Sequence, residues 1–558
     1  MKKFTLLLLI FLSSLLSWSQ IPNWNWGYNY ESLNNDTRGI TTTAPNGDVY
    51  LIGNFSSSSI TIGTHTLTNT GDANTSEIYI IKYNSLGTIL WVKKEGGLKM
   101  DLVSSITTDL NGNFYLSGTF VTQITFGTTT LNHSTAGIFL TKYDSSGNVI
   151  WSKTTGSISD NCYANKIKTD ASGNVYMVGN YRTPTVTFGS VVLTNVNYDV
   201  NDGGTSFITK YDTNGNVLWA KGAQRTGASP YPNNMQDLSV DSSGNIFVGG
   251  SFSTTTMQFD AITISNPEAP LHTIFMVKYD ASGNALWAKV PTAPSPNNYI
   301  NTVSTDASGN AYFSGGFRGT MTFDAVSVMA SSSGSKLFTV KYNSSGVAQW
   351  AKTASTSGSS YSNIDSSDVD SSGNLYVTGT FSPNTINFGN GIVATSTGNG
   401  GLFVVKYNSS GTPLWIRNAG SLDANSRLSI KCKNENEIYI AGFFYSAAVT
   451  FGGLTLNNVN ATNNVFIAKL LYVPLSAATF TDANFEAAPN PVEDVLYFSE
   501  IDGNYSYSLV DGIGKKIAIG KLNPTTNSIS FTDFSAGLYF LEVQNEQGQK
   551  IVKRIIKK

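Results

Sequence analysis

The feature that most constrains this chain is a pattern that recurs inside it. A Tyr is followed eight residues later by a Trp six times, at Tyr83 and Trp91, Tyr143 and Trp151, Tyr211 and Trp219, Tyr279 and Trp287, Tyr342 and Trp350, and Tyr407 and Trp415. A Gly stands four residues after each of these tyrosines. A second block, x-Gly-Asn-x-aromatic-x-x-Gly-x-aromatic, occurs seven times, anchored on Asp48, Asn113, Asn174, Asn245, Asn310, Asn374 and Glu437. Self-similarity at a fixed period marks a fold built by stacking one unit that cannot bury its apolar faces alone. The seven copies lie between Gln20 and Pro474, about 65 residues each.

Each unit parses into four strands by two-residue alternation. In the second copy these are Ser104 to Asp109, Asn113 to Phe120, Ile138 to Asp144 and Asn148 to Lys153, with tight turns at Asn111-Gly112 and Ser146-Gly147. The Asp-x-x-Gly-Asn turns suit short hairpins in which Gly takes a positive φ at little cost. A further Phe-Gly pair recurs between the second and third strands, at 126, 188, 388 and 451, and predicts an added hairpin. The seventh copy reaches Val465 to Leu471, with Lys469 in place of the Lys before each Tyr, and stops without a Trp strand. Asn23, Trp24, Asn25 and Trp26 supply one, and Trp24 precedes Gly47 by 23 residues, within the 21 to 25 found elsewhere. The expected fold is all-β: a closed seven-bladed β-propeller of four-stranded blades, its N-terminal strand closing the last blade and leaving no exposed sheet edge there.

Residues 1–19 read as a secretory signal peptide, with Lys2 and Lys3, an apolar run from Phe4 to Leu16, and cleavage expected before Gln20. That run is too short to span a bilayer and no later stretch is longer, so no transmembrane segment is expected in the mature chain. With 35 basic against 37 acidic side chains, nucleic acid is not an expected partner. Cys162 and Cys432 are too few for a disulfide framework and read as isolated thiols.

No catalytic motif occurs: there is no His-Glu-x-x-His, no Gly-x-Ser-x-Gly and no phosphate-binding glycine loop. His65, His133 and His272 fall in three different repeats and read as solvated loop residues. The turns headed by Asp109, Asp170, Asp241, Asp306 and Asp370 place Gly fourth, unlike a calcium loop, so each Asp is expected to bond its own backbone. Lysines recur before Tyr (82, 142, 210, 278, 341, 406) and two after Trp (93, 153, 221, 289, 352). They predict stems packed along blade aromatics with their charged heads in water. No catalytic residue, metal ligand or cofactor is therefore assigned. In a propeller the two tight turns of each blade share one face, and the longer connections share the other. Variation gathers in the latter, at Asn195, Asn197, Tyr198, Asp199, Asn201 and Asp202 and at Arg225, Tyr231 and Asn234, so binding is expected on that face, with its ligand residues unassigned.

Over residues 40–470 the repeat resembles the bacterial SBBP β-propeller repeat, Asp-x-x-Gly-Asn-x-Tyr-x-x-Gly followed by Lys-Tyr-Asn-x-x-Gly-x-x-x-Trp-x-Lys, and departs from it at Pro45 and at Asn434, Glu435 and Asn436. That resemblance implies a fold and almost nothing about activity. Beyond a linker at 475–484, residues 485–558 carry Pro489, Asn490 and Pro491, then Gly537, Leu538 and Tyr539 opening a strand, and a basic end with Lys550, Lys553 and Arg554. This stretch resembles the type A C-terminal sorting domain of the type IX secretion system of Bacteroidota. The resemblance implies a small β-sandwich, the secretion machinery as partner, and a product released or attached to the outer surface. The expected organisation is a signal peptide at 1–19, a propeller at 20–474, a linker and a sorting domain. The expected function is a non-enzymatic, secreted or cell-surface binding module for a glycan or protein ligand. A polysaccharide-acting enzyme, which would need a convergent carboxylate pair, and a structural surface scaffold are the alternatives.

Overall fold

The structure is a computed structural model that describes residues 21–30, 37–72, 75–155, 162–196, 198–199, 203–227, 229, 231–293, 298–330, 336–356, 362–381, 385–396, 400–420, 427–460, 462–472, 487–499, 501, 503–511, 516–545 and 550–558. The expected signal peptide and linker lie outside the described residues. The chain divides into two compact units, Met1–Tyr472 and Val473–Lys558.

The first unit is all-β, with no helix among the described residues and seven antiparallel sheets built on four strands each, six of them four-stranded and the one that begins with Ser362–Val369 extended to six strands by the hairpin Ala448–Phe451 and Leu454–Asn457. In the first sheet, strands A to D are Thr37–Thr43, Val49–Phe55, Glu77–Tyr83 and Ile89–Glu95. The A strands of the other six are Asp101–Thr108, Cys162–Thr169, Asn234–Val240, Tyr299–Thr305, Ser362–Val369 and Ser429–Asn434. The recurring Phe-Gly element forms a hairpin between strands B and C, as in Thr185–Phe188 with Val191–Thr194. Every sheet is open, and none closes on itself.

The seventh sheet takes its outer strand from the other end of the unit: Asn23–Tyr30 pairs antiparallel with Asn464–Leu471. A bulge between Trp24 and Trp26 sets the register, so that Trp26 stands opposite Lys469, as Trp91 stands opposite Lys82 and Trp415 opposite Lys406. Trp24, which the spacing admits equally, lies edge-on to Phe451 instead.

Strands B and C do not alternate as expected. Val49–Phe55 and Glu77–Tyr83 are buried at every position, because a neighbouring sheet covers each of their faces. One apolar core joins Ile52 and Ile80 of the first sheet to Phe114 and Leu116 of the second. Another joins Tyr439, Val465 and Ile467 of the seventh sheet to Val49, Leu51 and Ile81 of the first. Dispersion and apolar burial between sheets, rather than within any one of them, therefore hold the unit together.

Polar clasps bind the same seams. Asp109 accepts the N–H groups of Asn111 and Asn113 at 3.0 and 2.9 Å through Oδ1, and Asn113 Nδ2 and the Tyr115 hydroxyl at 2.8 and 3.1 Å through Oδ2. Lys142 lies over the Tyr115 ring, 3.9 Å from that carboxylate, and donates to the Thr213 carbonyl in the next sheet's C–D turn. Trp151 Nε1 donates to the same carbonyl at 3.0 Å. Lys469 repeats the arrangement from the seventh sheet to the Ser85 carbonyl of the first, at 2.8 Å. The charged heads of these strand C lysines are thus buried and paired rather than in water; Lys142 is 7% exposed and Lys469 4%. Gly87, the matching turn residue of the first sheet, has φ 87° and lies flat on Trp26, where a Cβ would come within 3.0 Å of the indole.

The second unit packs a three-stranded sheet (Ala487–Ala488, Val495–Phe498, Ser528–Ser530) and a four-stranded sheet (Lys516–Leu522, Tyr505–Asp511, Gly537–Asn545, Lys550–Lys557) around one core that includes Leu496, Leu509, Phe531 and Leu541.

Candidate functional site

The first strands of all seven sheets wall a cavity of about 850 Å³. In six of them a β-bulge adds one residue near the strand's start: Arg38, Ser104, Asn165, Gln236, Asn301 and Asp365. A bulge re-aims the side chain of its extra residue, and all six line the cavity together with Ser429 of the seventh sheet. In the second to sixth sheets the bulge lies beside the Gly of the second repeated block. A Cβ on Gly179 would come within 2.0 Å of the Tyr163 carbonyl oxygen, so the close backbone approach that the bulge requires is available only to glycine.

The wall is polar and largely hydrogen-bonded to itself. Asn165 Nδ2 donates to Asn234 Oδ1 at 2.6 Å and to the Met235 carbonyl at 2.8 Å, and Asn301 Nδ2 donates to Asn363 Oδ1 at 3.1 Å and to the Ile364 carbonyl at 2.7 Å. Asp237 accepts the N–H groups of Leu238 at 2.8 Å and Val303 at 2.9 Å, and Lys166 lies 3.6 Å from it. Deeper along the same strands, Lys431 pairs with Asp368 at 2.8 Å; burial would lower its pKa, but the carboxylate holds it above the ordinary value. Burial and the neighbouring ammonium groups of Lys431 and Lys166 push Lys168 down to about 8.

Three charged groups stand apart from this satisfied wall. Burial pushes Asp365 up to about 7, against the pull of the Leu428 N–H, Arg427 and Asn363. Its Oδ1 accepts from Asn363 Nδ2 at 2.7 Å, while Oδ2 has no hydrogen bond of normal geometry. Arg38 donates to the Val103 carbonyl at 2.7 Å, and burial, then the charge of Arg427, lower its pKa. Arg38 and Arg427 both occupy the left-handed region, at φ 71° and 38°. Such backbone costs about 1–3 kcal/mol and persists only where the surroundings enforce it.

Sequence variation points to loops, and none of the described loop residues it singles out is on the lining of this cavity. Of the varied residues, Asn234 meets the cavity through Asn165. Arg225 turns inward, its Nη2 3.3 Å from Asn195 Oδ1, and Tyr231 lies against His272 with ring centroids 5.3 Å apart. Tyr198 is exposed, and Asn197, Asn201 and Asp202 lie outside the described residues. His65, His133 and His272 belong to the first, second and fourth repeats and are not brought together. His272 is half-buried, which lowers its pKa, rather than fully solvated. Cys162 and Cys432 are buried and neither is in a disulfide. A usable signal did exist: five residues before the turn Asp of the second to sixth repeats stand Ser104, Asn165, Gln236, Asn301 and Asp365, a position constant in polarity and variable in identity.

The sorting motif residues meet at one edge of the second unit. Asn490, between Pro489 and Pro491, donates to the Arg554 carbonyl at 2.7 Å and accepts the Ile556 N–H at 2.9 Å, tying the motif's opening to its basic end. Gly537, Leu538 and Tyr539 open the strand that pairs with Lys550–Lys557, placing Lys553 opposite Leu541 and Lys550 opposite Gln544. The Tyr539 hydroxyl donates to the Ser535 carbonyl at 2.8 Å.

Residues 486–558 match the family described as the secretion system C-terminal sorting domain. The chain therefore carries a type IX sorting tail, which implies interaction with that secretion machinery and export to the cell surface or beyond it. An uncharacterized WD repeat-containing protein of Acanthamoeba polyphaga mimivirus is 24% identical over 446 residues, which cover 67% of this chain; the chain spans 32% of that relative's length. Among solved structures, a protein of unknown function from Dyadobacter fermentans has a TM-score of 0.35 at 9% identity, covering 81% of this chain and 97% of its own. The endosialidase of phage phi92 has a TM-score of 0.35 at 10% identity, covering 95% and 87%. The WD40 domain of Neurospora crassa Pan2 has 0.30 at 10%, covering 66% and 99%.

Proposed function

We propose that residues 20–474 form a closed seven-bladed propeller of the SBBP type that acts, once exported, as a non-enzymatic binding module for a glycan or a protein ligand. The observation that carries this reading is the cavity: six equivalent bulge positions converge on it, with Ser429 of the seventh sheet beside them, yet they present Arg38, Ser104, Asn165, Gln236, Asn301 and Asp365. Packing alone asks for the same residue in every repeat, as the lysine clasps display. A set of unlike polar groups facing one space is what recognition of an asymmetric, hydrogen-bonding ligand asks for. Ring closure is supported by the shared core of the seventh and first sheets and by the Lys469 bond to Ser85.

The test is retention of the exported protein on a panel of soluble and insoluble polysaccharides, with the supernatant assayed for released sugar. Retention without release, abolished by Asn301→Ala, is the expected result. One observation favours a polysaccharide-acting enzyme: Asp237 and Asp365 line the same cavity, and a carboxyl that titrates near neutrality suits a general acid. Against it, both oxygens of Asp237 are committed to backbone N–H groups. Sugar release lost in Asp365→Asn would establish the enzyme reading, and concentration-dependent self-association without retention would favour a scaffold.

A further inference from the structure

The geometry points to an oligosaccharide bearing a carboxylate as the ligand of this cavity, with Arg38 and Arg427 as its guanidinium clamp and Asp365 as the anion it must displace. This rests on the binding reading above and names its ligand class.

The lining carries three cations, Arg38, Lys166 and Arg427, against two carboxylates, Asp237 and Asp365. Lys166 and Asp237 compensate one another at 3.6 Å. Arg38 and Arg427, the latter exposed to solvent, then share the lining with a single remaining carboxylate, and the charge of Arg427 bears unfavourably on Arg38 as well as favourably on ionised Asp365. A repelling pair held on left-handed backbone, where any non-glycine residue is strained, is costly to the empty protein. An anion between them would offset that repulsion, and a carboxylate suits the planar fork of Arg in a bidentate contact. The remainder of the wall supplies amides and hydroxyls, with Tyr299 and Phe443 as ring faces, which matches the hydroxyls and apolar faces of a sugar rather than an isolated inorganic ion. The strand C lysines are unavailable to such an anion, since their heads are buried in the inter-sheet clasps.

Asp365 makes the binding pH-dependent. On its own strand the nearest charge is Asp368; the seventh sheet presents Arg427 and Lys431, and the fifth presents the uncharged Tyr299 and Asn301. The cavity's other walls contribute Arg38 and the Lys166–Asp237 pair, with Lys168 beside that pair. Of all these, Arg427 is the charge that bears on Asp365 most directly. A ligand carboxylate beside Arg427 repels ionised Asp365, so binding and protonation favour each other. With Asp365 titrating at about 7, affinity rises as pH falls through neutrality, by about tenfold between pH 8 and pH 6.

The experiment is calorimetric titration of the full exported chain with galacturonate, mannuronate, glucuronate and sialate oligosaccharides, each beside its methyl ester, at both pH values. At least one acid should bind, its ester at least tenfold more weakly, and only the acid should show the pH dependence. Arg38→Gln and Arg427→Gln should erase the preference for acid over ester while leaving thermal unfolding near that of the parent. Asp365→Asn should bind at pH 8 as tightly as the parent does at pH 6. Equal binding of acid and ester would overturn the clamp and leave the glycan-binding reading standing. Binding of no acid by a protein that retains a neutral polysaccharide would do the same, and binding of no sugar of either kind would overturn both.

Discussion

Two ends of the same strands obey opposite rules. At the tight-turn end, strand A runs into an Asp that closes its own turn and, with a strand C lysine, clasps the neighbouring sheet; Asp109 with Lys142, Asp170 with Lys210, Asp306 with Lys341 and Asp370 with Lys406 are close copies. At the other end the strand opens in a bulge, and the bulged residue differs from one sheet to the next. Where a repeat must satisfy the same packing problem seven times, the same side chain recurs. Where the copies face one shared space, they share no such constraint and are free to diverge. Stability is therefore expected to reside in the identical residues, and recognition in the unlike ones.

The largest effect should come from removing residues 21–30. That strand supplies Trp26 to Gly87 and the Tyr30 hydroxyl to that of Tyr83, and it covers the edge of Asn464–Leu471. Without it the seventh sheet has an unpaired edge, and the seam with the first sheet loses its indole. The deletion should abolish a single cooperative transition in urea, and an unchanged midpoint would show that the N-terminal strand is dispensable.

Next comes one clasp. Lys341 is 7% exposed, lies over the Tyr312 ring, stands 3.5 Å from Asp306 and donates to the Ser409 carbonyl of the following sheet at 3.1 Å. Lys341→Ala leaves the Asp306 carboxylate without its cation and should cost about 3 kcal/mol in urea unfolding, with ligand binding intact. The clasp also fixes the acid limb. Burial alone would raise the pKa of Asp306, but Asn310, Tyr312 and Lys341 hold it below the usual carboxylate range. Its stabilisation is thus complete above the unfolded value near ~3.9 and is lost as pH falls through the lower folded value.

The third effect has the opposite sign. Asp365 titrates at about 7 in the folded chain, against roughly 3.9 when unfolded, so its contribution is fully present below the unfolded value and is lost as pH rises toward the folded one. Above neutrality the folded protein bears the cost of an ionised, enclosed carboxylate. Asp365→Asn should therefore stabilise the protein at pH 8 by about 1–2 kcal/mol, discounted for the water that reaches the cavity, and should leave stability near pH 4 unchanged. A substitution that raises stability while altering binding would separate the two ends of the strand most sharply; a loss of stability at pH 8 would return Asp365 to the structural class.

The repeat made the strand count, the turns and the added hairpins legible because each is a local event with its own residue signature, such as Gly112 after Asp109. Three things escaped. Period-two reasoning misread strands B and C, since alternation reports a sheet with one wet face and these have none. The choice between Trp24 and Trp26 turned on a bulge in Asn23–Tyr30 that spacing does not encode. The cavity is illegible to period-two reading for the same reason in six sheets: a bulge shifts one residue of strand A out of the alternation. The lysines were misplaced because their partners, the turn carbonyls of the next sheet, lie 63 to 71 residues away in sequence.

The smallest effect tests whether repetition by itself marks stability. Asp280 heads the C–D turn of the fourth sheet as Asp306 heads an A–B turn, and it accepts the N–H groups of Ser282 at 2.9 Å and Asn284 at 2.8 Å and Asn284 Nδ2 at 2.8 Å. Burial opposes but does not outweigh these donors, and its pKa stays below the ordinary value. Yet the turn is exposed, and water can replace each bond that is lost. Asp280→Ala should cost about 0.5 kcal/mol, several times less than Lys341→Ala, because a recurrent residue matters in proportion to what it joins. Asp280 closes a hairpin that its own strands already define, whereas Lys341 joins two sheets. Equal losses from the two substitutions, measured as urea midpoints at one slope, would mean that the tight turns, and not the seams between sheets, limit the stability of the unit.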